Sequence, residues 1–195
     1  MSAFNILVAG VGGQGVLLTS KILAEAALLA GLDVKQSEVH GMAQRGGSVL
    51  SQVRLGDKVY SPIMGEGECD LIIGFEPVET ARYIHFLKEN GKVIYNTHRV
   101  ASLTVSIGAE KYPEDIDSVI ASRVKTALPL DATALAAEAG ERRAVNLVLL
   151  GAAMEYLPLS EADVYSAIRK SVPVKSLEMN EKAFLAGTRF KASQG

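Results

Sequence analysis

The chain has a single cysteine, Cys69, among its 195 residues, and that scarcity removes several chemistries at once. A lone thiol cannot close an internal disulfide, and it cannot ligate an iron–sulfur cluster, which normally takes four cysteines. It suits a reducing, cytoplasmic compartment. Histidine is also sparse: none of His40, His85 and His98 has a second histidine or a cysteine at metal-ligand spacing, so no metal site is expected. The order of residues supports no Ser/His/Asp or Cys/His arrangement, and no catalytic residue can be named. A net charge of −2 gives no general attraction to nucleic acid or to an anionic membrane. The longest apolar run, Val16–Ala30, is broken by Thr19, Ser20, Lys21 and Glu25 and is too short and too polar to span a bilayer. No basic segment precedes the first strand, so no signal peptide is expected. Internal repeats, low-complexity segments and long linkers are absent as well.

What remains is the composition of a compact fold. Hydrophobic residues make up 48% and charged residues 22%, and a chain of this length buries a substantial core without disulfides. Phe4–Ala9 and Cys69–Phe75 are nearly continuous apolar runs, the pattern of strands covered on both faces. Asp33–Val39 reads as a further strand. Ser48–Leu55 alternates, and the Gly56-Asp57 turn into Lys58–Ser61 predicts a β-hairpin. Helices are expected over Val16–Ala30, closed by Gly31, and from Pro77 to about Lys88. Asn90-Gly91 reads as a turn into a strand at Lys92–Asn96, and Leu103–Ile107 as one more strand. A short helix is expected over Pro113–Val124, and Asp131 can cap another running to Gly140. From Arg143 the chain turns helical. Val145–Tyr156 is apolar nearly all round, Ser160 and Asp163 form a capping-box variant, and Ser176–Lys191 makes the last helix. The expected fold is a single α/β domain over 1–195 in three layers, with a mainly parallel Rossmann-like sheet, an antiparallel hairpin and a helical C-terminal part. The stretch 103–140 carries no motif that speaks to function.

Two glycine-rich segments carry the chemistry. Gly10-Val11-Gly12-Gly13-Gln14-Gly15 follows a strand and opens a helix. That spacing allows a tight turn, a close backbone approach and helix–strand packing. The free N–H groups and positive dipole end of the helix near Gly15 favour a phosphate or carboxylate. A tight turn that binds nothing fits equally well, and Gln14 reaches either a ligand or solvent. The acid that closes the second strand of a nicotinamide-cofactor domain has a counterpart in Glu38, 23 positions after Gly15. The next segment argues against that cofactor, because Gly41, Gly46 and Gly47 resist the crossover helix such a domain needs.

That next segment is His40-Gly41-Met42-Ala43-Gln44-Arg45-Gly46-Gly47. His40 titrates near neutrality in ordinary surroundings, Arg45 offers a planar fork for carboxylate or phosphate, and Gly46-Gly47 lets the backbone come close to another surface. It is expected at the carboxyl edge of the sheet beside the glycine turn, as a ligand loop or a subunit-interface loop. His85 and His98 read as surface or core-edge residues, Cys69 as an inert buried thiol, and Glu66 and Glu68 as solvated charges.

Together Val8–Gly15, His40–Arg54, Asp70–Glu76 and Asn180-x-x-Ala183-Phe184-x-x-Gly187 resemble the gamma-type domain of the 2-oxoacid:ferredoxin oxidoreductases, also known as the pyruvate/ketoisovalerate oxidoreductase gamma domain. The His40–Gly47 segment favours the small subunit of the indolepyruvate type. The resemblance implies an enzyme that decarboxylates a 2-oxoacid on thiamine diphosphate, passes electrons through [4Fe–4S] clusters to ferredoxin, and releases an acyl-CoA. This chain has no cysteine set and no convincing Gly-Asp-Gly…Asn thiamine motif. Those cofactors are therefore expected in a large partner subunit. What is left for this chain is to complete the assembly and to contact coenzyme A, with Gly10, Gly12, Gly13, Gln14 and Gly15 as candidates for its phosphates and His40, Gln44, Arg45, Gly46 and Gly47 as a ligand or interface loop. In isolation the chain could pair with itself. The alternatives are a free-standing NAD(P)-dependent oxidoreductase and a non-catalytic structural domain.

Overall fold

The computed structural model describes residues 2–41, 46–101 and 103–192. Its centre is a six-stranded sheet in the order β2-β3-β1-β4-β5-β6. The strands are β1 (Phe4–Val11), β2 (Asp33–His40), β3 (Ser48–Gly56), β4 (Cys69–Gly74), β5 (Leu87–Asn96) and β6 (Thr126–Leu130). β1, β4, β5 and β6 run parallel to one another, while β3 is antiparallel to both β1 and β2.

The alternation along β1 explains its unbroken apolar sequence. Ile6 and Val8 join the core on one face, and Leu7 and Ala9 join that on the other, so neither phase of the strand meets water. The first face is covered by α1 (Val16–Leu29), α5 (Ala132–Glu138), α6 (Val145–Ala153), α7 (Glu161–Ser171) and α8 (Leu177–Ala192). The second is covered by a thinner layer from α2 (Pro77–Arg82) and α4 (Ile116–Arg123), with α3 (Leu103–Ser106) nearby in sequence. The caps read from sequence are in place. Asp131 Oδ1 accepts the Ala134 N–H at 2.8 Å, and Ser160 Oγ accepts the Asp163 N–H at 3.1 Å.

Helix α6 is apolar all round because its own chain surrounds it: every residue from Asn146 to Ala153 is buried. It crosses α8 at two glycines. A side chain on Gly151 would overlap the Phe184 carbonyl oxygen, and one on Gly187 would overlap that of Val148. The Ala183-Phe184-x-x-Gly187 motif therefore builds this crossing, with Ala183 and Phe184 fully buried beside it.

Four expectations are corrected. Ser48–Leu55 does not pair with Lys58–Ser61; the hairpin is β2–β3, with Asp33 opposite Gly56 and His40 opposite Val49. Lys58–Ser61 forms a loop instead, held where Asp33 Oδ2 accepts the Val59 N–H and where Arg54 donates to the Ile63 carbonyl. The Pro77 helix ends at Arg82 and gives way to a 3₁₀ turn at Ile84–Phe86, leaving Lys88 in β5. Asn90-Gly91 is no turn but lies inside β5, next to a shift in register against β4. Gly91 is needed there because a Cβ would meet Cys69 O at 2.9 Å, the close approach that marks a strand glycine. Leu103–Ser106 is helical, and the strand it was expected to supply is β6, whose Pro129 is tolerated because β6 is an edge.

Gly187→Ala and Gly151→Ala are each expected to lower stability by about 1–3 kcal/mol through overpacking, whereas Lys182→Ala on the exposed face of α8 stays within about 0.5 kcal/mol. Denaturant midpoints of the three variants check this. Equal midpoints would mean the crossing is loose.

Candidate functional site at the carboxyl edge

The sheet order brings both glycine segments to one place. β3 is hydrogen-bonded to β1 up to the Val11–Ser48 pair, so the residues that lead into β3 meet the turn that follows β1. There the Gly12 N–H donates to the Gly47 carbonyl at 2.8 Å, and the Gly41 N–H closes the neck of the hairpin on Ser48 O at 2.8 Å. Gly46 adopts a φ of 80° with open space around it. His40 is exposed at the end of β2. Gln44 and Arg45 lie outside the described residues.

Within the turn, the side chain read as a ligand arm is already engaged. Gln14 Oε1 accepts the Val11 N–H at 2.6 Å, and its Nε2 reaches the Phe75 carbonyl at 3.3 Å. Gln14 shapes the loop from inside. Gly10 is a packing glycine, since a Cβ there would lie 2.7 Å from Phe75 Cβ. Gly13, with a φ of 98°, faces open space. Gly15 caps α1 with a φ of 100°, and no side chain caps the helix. The first bond within α1 is Thr19 N–H to Gly15 O, so the N–H groups of Val16, Leu17 and Leu18 have no intrahelical acceptor. Asn146 packs over Gly15, its Nδ2 being 3.7 Å from the point where a residue-15 side chain would begin. That buried Nδ2 has no hydrogen-bond partner among the described residues. The start of α1 thus brings three N–H groups without an intrahelical acceptor next to an amide with no partner among the described residues.

Beside the turn lies a pocket of about 370 Å³, lined by Gly13, Gln14, Asn96, His98, Thr133, Arg142, Arg143 and Val145. Asn96 organises its floor. Its Oδ1 accepts the Ala132 N–H at 3.0 Å and its Nδ2 donates to Thr133 Oγ1 at 3.1 Å, tying the end of β5 to the start of α5. Arg142 and Arg143 are exposed and have no ion-pair partner among the described residues. The pocket is therefore electropositive, though the molecule as a whole carries −2. Sequence reasoning passed over these residues. The Arg142-Arg143 pair just after Gly140 was the available signal, but only the fold shows that it faces the glycine turn.

A buried acidic network braces the other side of the hairpin. Glu79 Oε2 accepts the Ser48 hydroxyl at 2.5 Å, and Tyr83 OH lies 3.3 Å from the same Ser48 oxygen. Glu76 caps α2 by accepting the Glu79 N–H at 3.0 Å and is held by the Tyr112 hydroxyl. Burial pushes the Tyr112 hydroxyl up, and the Glu76 carboxylate reinforces the effect, so Tyr112 remains a donor across the neutral range. These groups satisfy one another and fix the β3 end of the hairpin.

Other residues singled out from sequence lie elsewhere. The His85 carbonyl accepts the Gly67 N–H near the amino end of β4, and Glu68 closes the neighbouring loop on the Gly65 N–H. His98 does reach the pocket. Glu38 is exposed on β2 and bonded to Gln36. With β3 between β1 and β2, it cannot flank the glycine turn as the acid of a dinucleotide fold does. Cys69 is fully buried, and burial pushes its thiol up to about 12. Among the described residues, no group of three or more His, Cys, Asp or Glu could hold a metal ion, and no helix is long and apolar enough to cross a membrane.

A family model described as pyruvate ferredoxin/flavodoxin oxidoreductase matches residues 5–190. The chain is 44% identical to the indolepyruvate oxidoreductase subunit IorB of Pyrococcus horikoshii, over 97% of this chain and 96% of that one. The gamma subunit of a keto/oxoacid ferredoxin oxidoreductase from Geobacter sulfurreducens is similar in structure, with a TM-score of 0.72 and 26% identity over 97% of this chain and 99% of that one. The fold is also shared with part of a longer chain, the 2-oxoglutarate:ferredoxin oxidoreductase of Magnetococcus marinus, solved with 2-oxoglutarate, coenzyme A and succinyl-CoA bound. There the TM-score is 0.76 and the identity 22%, over 99% of this chain and 32% of that one.

Two measurements check the local picture. Gly15→Ala is expected to lower stability by about 1–2 kcal/mol, because a non-glycine residue is strained at its φ and its Cβ would press on Asn146; an unchanged melting temperature contradicts the turn geometry. A thiol reagent at pH 8 should leave Cys69 unmodified in the native chain and label it only after denaturation. Rapid labelling of the native chain would overturn its burial.

Proposed function

The chain belongs to the pyruvate ferredoxin/flavodoxin oxidoreductase family, and from that premise we propose that it is the small subunit of an indolepyruvate-type oxidoreductase whose pocket beside Gly13 takes the pyrophosphate of coenzyme A. The observation that carries the pocket assignment is the convergence of donors: Arg142 and Arg143, which have no ion-pair partner among the described residues, line one pocket with Gly13 beside the start of α1, where no side chain caps the helix. The family's reaction class, oxidative decarboxylation of a 2-oxoacid to an acyl-CoA, supplies the ligand. In this reading residues 1–195 act as one gamma-type domain in a cytoplasmic complex.

The division of labour follows from what this chain can hold. Its one cysteine is buried and held in the thiol form, so it does not fit a cluster, and no step through iron–sulfur or thiamine diphosphate is assigned to it. Those groups belong on the large partner subunit, which passes electrons on to ferredoxin. This chain contributes donors. Arg142 and Arg143 supply planar forks for phosphate oxygens, Gly13 allows close backbone approach, and Asn96 fixes the neighbouring wall. Gly47, held to the turn through the Gly12 N–H, sets the start of β3 against this edge. A free-standing NAD(P) enzyme is disfavoured by the strand order, which removes the acid from the ribose position.

The isolated chain is expected to be colourless and to reduce no ferredoxin or viologen with a 2-oxoacid and CoA. Activity should appear on addition of the large subunit. In that complex, Arg142→Gln should raise the KM for CoA about five- to tenfold, the equivalent of ~1–1.4 kcal/mol for an exposed charged contact. An unchanged KM in a fully assembled complex would remove the pocket from CoA binding and leave the chain a structural role.

A further inference from the structure

The segment 141–146 has a recess on each side. On one side is the pocket beside Gly13; on the other is a recess of about 420 Å³ whose wall includes Leu18, Arg143, Asn146, Lys175 and Ser176. Arg143 borders both. Two other cations that line recesses of this molecule are neutralised there, Lys191 by Glu155 at 2.8 Å and Lys88 by Asp70 at 2.6 Å. Arg143 and Lys175 differ, since neither has an ion-pair partner among the described residues. The one carboxylate in the same wall, Glu141, already takes the Arg143 backbone N–H at 3.0 Å. Asn146, nine-tenths and more buried, adds an amide Nδ2 with no acceptor, and Leu18 brings in the uncapped first turn of α1. This is a second group of donors that lacks an acceptor, physically distinct from the first and joined to it through one arginine.

We propose that this second recess is a separate phosphate subsite that takes the ribose 3′-phosphate of coenzyme A, with Lys175 as its discriminating cation and Arg143 shared between the two phosphate positions. The assignment rests on the reading that the pyrophosphate occupies the pocket beside Gly13. Coenzyme A carries its negative charge at two places on one nucleotide, and the chain offers two adjoining cationic recesses on one edge. Lys175 provides a point charge on a flexible stem, suited to a terminal monoester. Arg143, with several donors on a rigid plane, can serve both sides. A ligand without the 3′-phosphate leaves Lys175 without a role.

Calorimetric titration of the assembled complex with CoA and with dephospho-CoA tests this without relying on turnover. The wild type should bind CoA about tenfold more tightly than dephospho-CoA. Lys175→Gln should weaken CoA about five- to tenfold and leave dephospho-CoA unchanged, while Arg143→Gln weakens both; melting temperatures confirm that each variant is assembled. Lys175→Glu should weaken CoA further, and a return to the wild-type affinity in Lys175→Arg supports a charge role. If Lys175→Gln changes neither ligand while Arg142→Gln weakens both, the second subsite is wrong and the first reading stands. If Lys175→Gln weakens the two ligands equally, Lys175 serves the pyrophosphate and the assignment is again overturned. No effect of any variant on either ligand overturns both readings together.

Discussion

The hydrogen bond from the Gly12 N–H to the Gly47 carbonyl, 2.8 Å long, joins the two glycine segments through residues more than thirty positions apart in the chain. It exists because β3 is inserted antiparallel between β1 and β2. In a doubly wound nucleotide-binding sheet the strand after the first helix lies next to β1, and its terminal acid reaches the glycine turn. Here that place is taken by β3, whose last pair with β1 sets Gly47 against the turn. The acid is removed and a glycine-rich loop takes its place. Strand order thus takes Glu38 away from the place that the ribose-binding acid holds in a nicotinamide-cofactor domain.

The same order fixes the electrostatics. With no carboxylate from β2 at the turn, the edge presents free helix N–H groups, the Asn146 amide, and the Arg142, Arg143 and Lys175 cations. The buried acids Glu76 and Glu79 stand on the opposite side of the hairpin and are already bonded to Tyr112, Ser48 and backbone amides. Their hydrogen bonds tie β3 and α2 together. A domain with a slight negative charge overall therefore concentrates cations and free donors at one edge, where we propose that an anion binds.

Much of the fold was legible because strong local signals agreed with the tertiary structure. The apolar runs of β1 and β4, the Ser160 and Asp131 caps, and the all-round apolar α6 each announced their surroundings. The failures have a common cause. Gly56-Asp57 and Asn90-Gly91 look like turns, yet Gly56 ends β3 against β2 and Gly91 lies within β5, where it makes room for the Cys69 carbonyl. Local turn chemistry cannot distinguish a bend from a close approach, since both ask for glycine. β6 was missed because Pro129 argues against a strand unless its place at the sheet edge is known. At the site, the glycine segments stood out by composition. Arg142, Arg143 and Lys175 did not, because surface cations acquire meaning only from the pocket they face. Gln14 shows the reverse error: an amide that looked free for a ligand is consumed by Val11 and Phe75.

The central claim is that this subunit, through its carboxyl edge, binds the phosphate-bearing end of coenzyme A. Hydrogen–deuterium exchange of the assembled complex with and without CoA tests that most directly, since it reports on the backbone donors themselves. CoA-dependent protection is expected only at the amides of the glycine turn, the first turn of α1 and the 142–146 segment, with none at the amino end of the sheet around Gly67 and His85. Protection that falls only on the large subunit, leaving those segments exchanging at their ligand-free rates, would contradict it.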